Sequence, residues 1–201
     1  MVSKADLTPH TASATGAVLA WTELETELGW ASIATSRSAI CALILSDHSD
    51  PQGKKLSQAV QGAALKPAGA ARAHQNQQWI RTAIARLVDE TLEPLPLAVV
   101  GSPFDLETWR HIQLIPPGET RSYQQLAQAM NRSSAVRAVA SACGRNRHAL
   151  LIPCHRVVRS DGGLGGYRWQ LERKARILTY ERDAALAQHT NARQNLPIKK
   201  P

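Results

Sequence analysis

One short run of residues places a cysteine, a histidine and an arginine side by side in an apolar setting. Residues 149–158 read Ala-Leu-Leu-Ile-Pro-Cys-His-Arg-Val-Val. The flanking apolar side chains favour burial, and Pro153 restricts the local backbone while supplying no N–H. We therefore expect Cys154 to be held rigidly at the floor of a pocket and not on a mobile loop.

The chemistry of such a site depends on how Cys154 loses its proton, because the thiolate is a much better nucleophile than the thiol. His155 and Arg156 are the nearest candidates for a base or a positive field. In an extended segment, neighbouring side chains point to opposite faces, which favours His155 acting through a water molecule. A carboxylate is then needed to orient the other ring nitrogen. The alternative, that Cys154 is a small buried hydrophobic residue, describes most free cysteines and stays open on these residues alone.

The composition favours a polyanionic partner. The chain has 24 Lys and Arg residues against 16 Asp and Glu residues, a formal charge of +8, which favours nucleic acid before a membrane. The three cysteines cannot all pair and show no CxxC spacing, which argues against a disulfide framework and a zinc site. A free reactive thiol suits a reducing compartment. The sequence has no apolar run of membrane-spanning length, and its N-terminus lacks the apolar core of a signal peptide.

The N-terminal half is expected to form a sheet with helices. Strand-like patterns occupy residues 18–45 with a turn at 36–38, and helices are predicted near 54–64 and 72–90. Residues 91–101 contain two prolines, which end the second helix and predict a crossover between domains.

The C-terminal half is expected to be mainly helical. A helix is predicted over about 103–114, and the Pro-Pro-Gly sequence that follows ends it. Ser122 can cap a helix that reaches about Met130, with Gln125 completing a capping-box pattern. A second short helix is predicted over 135–144, which makes a helix-turn-helix. Helical hairpins without any DNA role are at least as common.

Four segments of this half resemble the O6-alkylguanine-DNA alkyltransferases, also called methylated-DNA–protein-cysteine methyltransferases. Residues 153–157 match the active-site motif of that family. Residues 117–127 and 135–143 resemble its first helix-turn-helix segment and its recognition helix, and residues 161–169 resemble the loop that closes its substrate pocket. The resemblance covers about 104–181 and is strongest toward the C-terminal repair domain of the bacterial adaptive-response members.

The resemblance implies roles at the reacting centre. Cys154 would be the nucleophile, His155 would be the base acting through a water, and Glu181 would hold His155. The hydroxyl of Tyr123 would assist the leaving group.

It also implies contacts with DNA and with the damaged base. Arg137 would enter the base stack where the damaged nucleotide leaves, because flipping exposes a guanine atom otherwise held inside the duplex. Small residues on the recognition helix would allow it to approach the minor groove. The further implied DNA contacts are Gln124, Ala135, Ala138, Arg132 and Ser160. The implied pocket and hinge residues are Asn146, Tyr167 and Arg168, the last at a position where some members carry serine.

The implied function is direct DNA repair, with one transfer per protein molecule. The alkyl group would move from O6 of guanine in double-stranded DNA to Cys154, with no cofactor and no metal. The protein would be a cytoplasmic monomer, near the nucleoid in a bacterium, without a membrane partner. Three alternatives remain: a lesion-recognising DNA-binding protein without turnover, a Cys-His-Glu hydrolase, and a transcription factor that uses the helix-turn-helix alone.

The fold class predicted on this basis is α/β (α+β). A small N-terminal sheet-plus-helices domain would precede a mainly helical C-terminal domain with a winged-helix-like helix-turn-helix. The predicted segments are a disordered leader (1–17), an N-terminal α/β domain (18–98), a DNA-binding and alkyl-acceptor domain (99–187) and a disordered tail (188–201).

Overall fold

The computed structural model describes residues 16–60 and 62–194, with side chains described through residue 187. The chain has the predicted mixed α+β fold, with a small sheet in its N-terminal part and helices in its C-terminal part. Most of the predicted leader, residues 1–15, lies outside the described residues.

Four strands form the N-terminal sheet. They are β1 (Val18–Thr26), β2 (Gly29–Thr35), β3 (Ile40–Ser46) and β4 (Ala64–Pro67). The order across the sheet is β3-β2-β1-β4, with antiparallel pairs β1–β2 and β2–β3 and a parallel pair β1–β4. Helix α1 (Lys54–Ala59) packs on β3, and helix α2 (Ala70–Ala85) packs on β1 and β2. Most residues of β2 and β3 are buried, as their near-continuous apolar runs require.

The predicted helix at 54–64 is wrong in its second half. The helix ends at Ala59, and β4 follows instead. The open edge of β1 gains backbone hydrogen bonds from β4, including the one from Ala64 N to Ala17 O at 2.8 Å. Such pairing overrides a weak local preference for helix. The helix predicted at 72–90 corresponds to α2, which ends at Ala85.

The predicted crossover at 91–101 is partly incorporated into the sheet. Ile40 N donates to Pro96 O at 2.9 Å, and Ala98 N donates to Ile40 O at 2.8 Å. Leu97 and Val99 are buried. The free edge of β3 has unpaired backbone groups, and the crossover satisfies some of them.

Four helices form most of the C-terminal part. They are α3 (Pro103–Gln113), α4 (Tyr123–Ala129), α5 (Val136–Arg145) and α6 (Leu171–Gln194). The first three agree with the predicted helices to within one or two residues. The predicted capping box at Ser122 is present, and a second one joins Ser102 to Asp105. Two short parallel strands, β5 (Arg121–Ser122) and β6 (Val157–Val158), connect the start of α4 to the cysteine segment. The winged-helix-like character stays a prediction.

Helix α6 extends beyond the predicted domain end at 187. Its backbone is helical through Gln194, so the predicted tail (188–201) begins inside the helix, and residues 195–201 lie outside the described part of the chain. Within residues 16–60 and 62–194, no helix is long and apolar enough to span a bilayer.

Strand β3 also anchors the segment that leads to Cys154. Leu43 N donates to Arg147 O at 2.9 Å, and Ala149 N donates to Leu43 O at 2.8 Å. Buried side chains from both halves of the chain belong to the same apolar core. The cysteine segment is therefore fixed to the N-terminal sheet on one side and to β5 on the other.

Candidate active site

Cys154 begins a short 3-10 turn, Cys154–Arg156, directly after Pro153. This differs from the extended conformation assumed in the sequence analysis. Its side chain is only 5% exposed, yet it lines a cleft of about 360 Å³. Leu150, shortly before it, has a φ of +65°. A non-glycine residue in the left-handed region is strained and persists only where the surroundings hold it. The contacts around the cysteine segment therefore hold this backbone, and its rigidity stays a prediction.

Asn146 joins the end of α5 to the cysteine segment. Its Nδ2 donates to Ile152 O at 2.8 Å and to Sγ of Cys154 at 3.2 Å, and its Oδ1 accepts from the backbone N–H of His148 at 2.8 Å. Asn146 is fully buried and is also the C-cap of α5. One side chain thus connects the predicted recognition helix to the sulfur.

Glu181 binds both residues that follow the cysteine. Nε2 of His155 donates to Oε1 of Glu181 at 2.9 Å, because a carboxylate can only accept. Arg156 forms a fork with the same carboxylate, with Nη2 to Oε1 at 2.8 Å and Nε to Oε2 at 3.1 Å. All three residues are buried. The His155–Glu181 pair that the resemblance implies is present. Arg156 hydrogen-bonds to the carboxylate of Glu181 and not to the thiol.

The ionisation states suit a base that starts neutral. Burial lowers the pKa of His155 below its usual value, despite the opposing effect of Glu181. Burial would raise the pKa of Glu181, but the bonds from His155 and Arg156 outweigh it and keep that pKa below its usual range. Nδ1 of His155 is buried and has no hydrogen-bond partner among the described residues, so this nitrogen is the one available to accept a proton.

The thiol itself is held in its protonated form. Burial raises the pKa of Cys154 to about 11, while the bond from Asn146 and the positive charges of Lys174 and Arg168 lower it. Before substrate binds, little thiolate is present at neutral pH. Ionisation must therefore accompany proton transfer to a nearby base.

Lys174 is a site residue that the sequence analysis missed. It is fully buried on α6, and its Nζ donates to Val157 O at 2.6 Å and also to Leu164 O. Burial lowers its pKa to about 8, and the two cysteines Cys143 and Cys154 raise it. Helical spacing could have predicted that Lys174 is buried, because it lies on the same stripe of α6 as the buried residues Ile177 and Glu181.

The loop over the cleft requires a glycine at one point. Gly165 has a φ of +68°, and a Cβ added there would lie 2.9 Å from the hydroxyl oxygen of Tyr123. Tyr123 and Gly165 therefore close one wall of the cleft in van der Waals contact. Burial raises the pKa of Tyr123 to about 12, so its hydroxyl remains a proton donor at neutral pH.

Tyr167 and Arg168 also line the cleft. The ring of Tyr167 meets His155 edge-on, with ring centroids 6.4 Å apart, and meets Trp169 edge-on at 5.2 Å. Arg168 is exposed at the rim of the cleft. The two pocket residues expected from the family are thus both at the cleft.

The predicted DNA contacts do not line the cleft. Ala135 and Arg137 belong to the N-cap and first turn of α5, and Arg137 is exposed. Arg132 in the connection is exposed and pairs with Glu107 at 3.1 Å. The other predicted contacts, Gln124, Ala138 and Ser160, are exposed.

A second thiol, Cys143, lines the same cleft. Burial raises its pKa further than that of Cys154, so it is the poorer source of thiolate. Within the described ranges, no three His, Cys, Asp or Glu side chains are grouped so that they could hold a metal ion.

Comparisons with known proteins agree on one family. The profile of the "6-O-methylguanine DNA methyltransferase, DNA binding domain" family matches residues 103–183. The chain is 46% identical over 156 residues to the "Bifunctional transcriptional activator/DNA repair enzyme Ada" of Escherichia coli, covering 77% of this chain and 43% of that protein. It is 47% identical over 88 residues to the "Probable methylated-DNA--protein-cysteine methyltransferase" of Acanthamoeba polyphaga mimivirus, covering 44% of this chain and 58% of that one. It spans about half the length of these curated relatives.

A solved structure supports the same grouping. The Mycobacterium tuberculosis OGT, crystallised in complex with DNA, superimposes with a TM-score of 0.63 at 26% identity, over 82% of this chain and 94% of that chain. The match includes the N-terminal sheet as well as residues 103–183, because it extends over four fifths of the chain. Over these residues, the chain is similar in sequence and in fold to members of the 6-O-methylguanine DNA methyltransferase family.

Proposed function

We propose that this protein repairs DNA directly, by transferring an alkyl group from O6 of guanine in double-stranded DNA to Sγ of Cys154. The observation that carries the proposal is a cysteine on the floor of a cleft, beside a buried His155–Glu181–Arg156 cluster. The names of its relatives, methylated-DNA–protein-cysteine methyltransferases, fit this chemistry. Within a bacterium, the reaction would take place in the cytoplasm at the nucleoid.

The thiol proton moves first in the proposed reaction. Nδ1 of His155 accepts it through a water molecule, and Glu181 stabilises the imidazolium that forms. Arg156 keeps Glu181 ionised throughout. The positive charge of Lys174 stabilises the thiolate that remains.

The alkyl carbon then changes partners in a displacement. Sγ of Cys154 forms a bond to the alkyl carbon as the bond from that carbon to O6 breaks, and the electron pair stays on the guanine. The Tyr123 hydroxyl donates its proton to the guanine anion that leaves. The proton held on His155 then passes through water to the Tyr123 oxygen, so both residues return to their neutral forms. The product is a thioether, which no group at the cleft can cleave, so each protein acts once.

The helix-turn-helix gives the damaged base access to the cleft. Arg137 is exposed near the start of α5, and α5 also supplies Cys143 and Asn146 at the cleft end. We infer that Arg137 fills the place of the flipped nucleotide, while small and exposed residues such as Ala138 face the minor groove. Phosphate contacts from basic residues would make binding salt-dependent.

A duplex carrying one O6-methylguanine with a tritium-labelled methyl group tests the proposal. Label should move to the protein and stop at one equivalent, however large the excess of duplex. Cys154→Ser should take up none. Continued turnover, or uptake by Cys154→Ser, would contradict the proposal, and rapid release of an activated ester's acyl group would favour the hydrolase alternative.

Variants of the buried cluster test the proton route. Glu181→Gln and His155→Gln should slow transfer by about two orders of magnitude, the scale of a lost general base. Glu172→Gln is a matched control, because Glu172 is an exposed carboxylate on the same helix. Equal rates for Glu181→Gln and Glu172→Gln would rule out the proposed route.

A further inference from the structure

The loop that walls the cleft leads into α6 through a strained joint. Gln170, between Trp169 and the first residue of α6, has a φ of +77°. This conformation disfavours every residue with a Cβ, and it persists only where other contacts hold it. The joint comes directly after Tyr167 and Arg168, which line the cleft.

Asp47, in the N-terminal part of the chain, holds this joint with both carboxylate oxygens. Its Oδ1 accepts from Nη2 of Arg173 at 2.6 Å, and its Oδ2 accepts from Nε2 of Gln170. Asp47 directly follows β3, so it is carried by the sheet and not by the helical part. The two halves of the chain are thus joined at the point of backbone strain.

Arg173 extends the same connection. Its side chain is buried, and it donates from Nε to Leu28 O at 2.7 Å and from Nη1 to Trp169 O at 2.6 Å. Gly29 leaves the space for it, because a Cβ added at Gly29 would lie 3.0 Å from Nη2 of Arg173. The turn between β1 and β2 is therefore shaped to receive this guanidinium.

The joint connects to the reacting residues through aromatic packing. Arg173 fixes the carbonyl of Trp169, and the Trp169 ring packs edge-on against Tyr167 at 5.2 Å. Tyr167 in turn meets His155 at 6.4 Å and lines the cleft. A shift of the joint would therefore move Tyr167, which lines the cleft next to His155.

We propose that Asp47 is a positioning residue for alkyl transfer, through which the N-terminal sheet sets the wall of the Cys154 cleft. The inference rests on the proposed function. Asp47 touches none of the reacting groups and acts through Gln170 and Arg173. Replacing Asp47 should change the rate of transfer and not the affinity for DNA, because Asp47 helps to align the guanine with the sulfur of Cys154.

The first test compares rate with affinity in Asp47→Asn, which removes the charge and keeps the shape. The rate of methyl transfer at saturating O6-methylguanine duplex should fall on the order of tenfold, as expected for a misplaced substrate. The Kd for the same duplex, measured in a Cys154→Ser background, should be unchanged. Asp183→Asn is the matched control, because Asp183 is an exposed carboxylate that pairs with its neighbour Arg182 at 3.3 Å.

The second test needs no DNA. Amide hydrogen exchange in residues 162–170 should be faster in Asp47→Asn than in the wild type and in Asp183→Asn, while exchange in α3 should be the same in all three. Faster exchange confined to residues 162–170 would show that the joint is loosened, whereas faster exchange in α3 as well would indicate general destabilisation.

A third variant addresses the strain itself. Gln170→Gly removes both the unfavourable φ and the amide that donates to Asp47, so Asp47→Asn should slow transfer by a smaller factor in that background than in the wild type. An undiminished effect would show that Asp47 does not act through the joint.

The outcomes distinguish the two proposals. A wild-type protein that takes up no methyl group would overturn the proposed function. A reactive wild type with equal transfer rates, or equal exchange, in Asp47→Asn would overturn the role of Asp47 and leave the function intact. A weaker duplex affinity with an unchanged rate would also overturn it.

Discussion

The sulfur of Cys154 and its immediate neighbours carry the proposed chemistry, and they keep the resting thiol neutral. Burial raises its pKa to about 11, and Asn146, Lys174 and Arg168 only partly offset that effect. A neutral thiol is protected from oxidants and from other electrophiles. Reactivity then depends on the moment when a substrate fills the cleft and His155 takes the proton.

Labelling of Cys154 by iodoacetamide without DNA should therefore be slow at pH 7 and rise with pH. Because the pKa is raised, half of the thiol is ionised only near pH 11, where a free cysteine is almost fully ionised. The rate is measured on the tryptic peptide 148–156, which contains Cys154 alone. N-acetylcysteine is the control, and a plateau below pH 8 would show that the resting thiol is already activated.

Replacing Lys174 should slow both labelling and methyl transfer. Lys174→Met removes the positive charge that favours the thiolate and leaves two backbone carbonyls without their donor. Lys66→Met, at an exposed lysine in β4, is the matched control. The labelling rate at pH 7, where Lys174 is still charged, and the methyl-transfer rate should both fall for Lys174→Met only, and an unchanged labelling rate would exclude its electrostatic role.

Several of these residues could be predicted and others could not. The Pro-Cys-His-Arg motif and the spacing to Glu181 predicted the residues that the structure brings together as His155 and Glu181, beside the proposed reacting group Cys154. Arg156 was one of two candidates for a base or a positive field at the thiol, but its side chain hydrogen-bonds to Glu181. A lysine and an aspartate usually belong to the solvated surface, so nothing in Lys174 or Asp47 alone indicates a contact with a distant loop.

Helices and strands place these side chains. The elements that depend on residues close in sequence were predicted best. Capping residues and proline stops identified α3 and α4, because both depend on residues close in sequence. Strand β4 and the pairing of the crossover with β3 were missed, since each depends on a distant strand edge. The 3-10 turn at Cys154 was missed for the same reason: its flanks are tied to β3 and β5.

Loss of the Ser122 cap should destabilise the helix-turn-helix. Ser122→Ala removes the acceptor for Gln125 N, at 3.0 Å, and should lower the free energy of unfolding by about 1 kcal/mol. Urea denaturation measures the change. Ser141→Ala, at an exposed position within α5, should leave stability unchanged or raise it slightly. Equal stabilities for the two variants would show that the cap does not contribute.

At the scale of the whole molecule, β3 joins the sheet to the cysteine segment, and both contribute to one apolar core. His148 lies buried at this connection, with its ring beside the backbone of Ile40 and Ala98. Burial lowers its pKa to about 4. The folded protein therefore holds His148 neutral where the unfolded chain would protonate it.

This histidine should make the protein less stable in mild acid. As the pH falls from about 6.5 to about 4, the unfolded state binds a proton that the folded state does not, a loss of about 3 kcal/mol when complete. Urea denaturation at pH 7.5 and pH 5 should show a smaller decline for His148→Leu than for the wild type. His74→Leu, at an exposed histidine, should decline like the wild type. A decline in His148→Leu equal to that of the wild type would contradict the assigned pKa.

The identity of the alkyl acceptor is the most direct test of the whole account. Trypsin places Cys143 in peptide 138–145 and Cys154 in peptide 148–156, so the two thiols of the cleft are weighed separately. After reaction with a duplex that carries O6-(trideuteromethyl)guanine, peptide 148–156 should gain one labelled methyl group in both the wild type and Cys143→Ser. A label on peptide 138–145, or on neither peptide, would contradict the central claim.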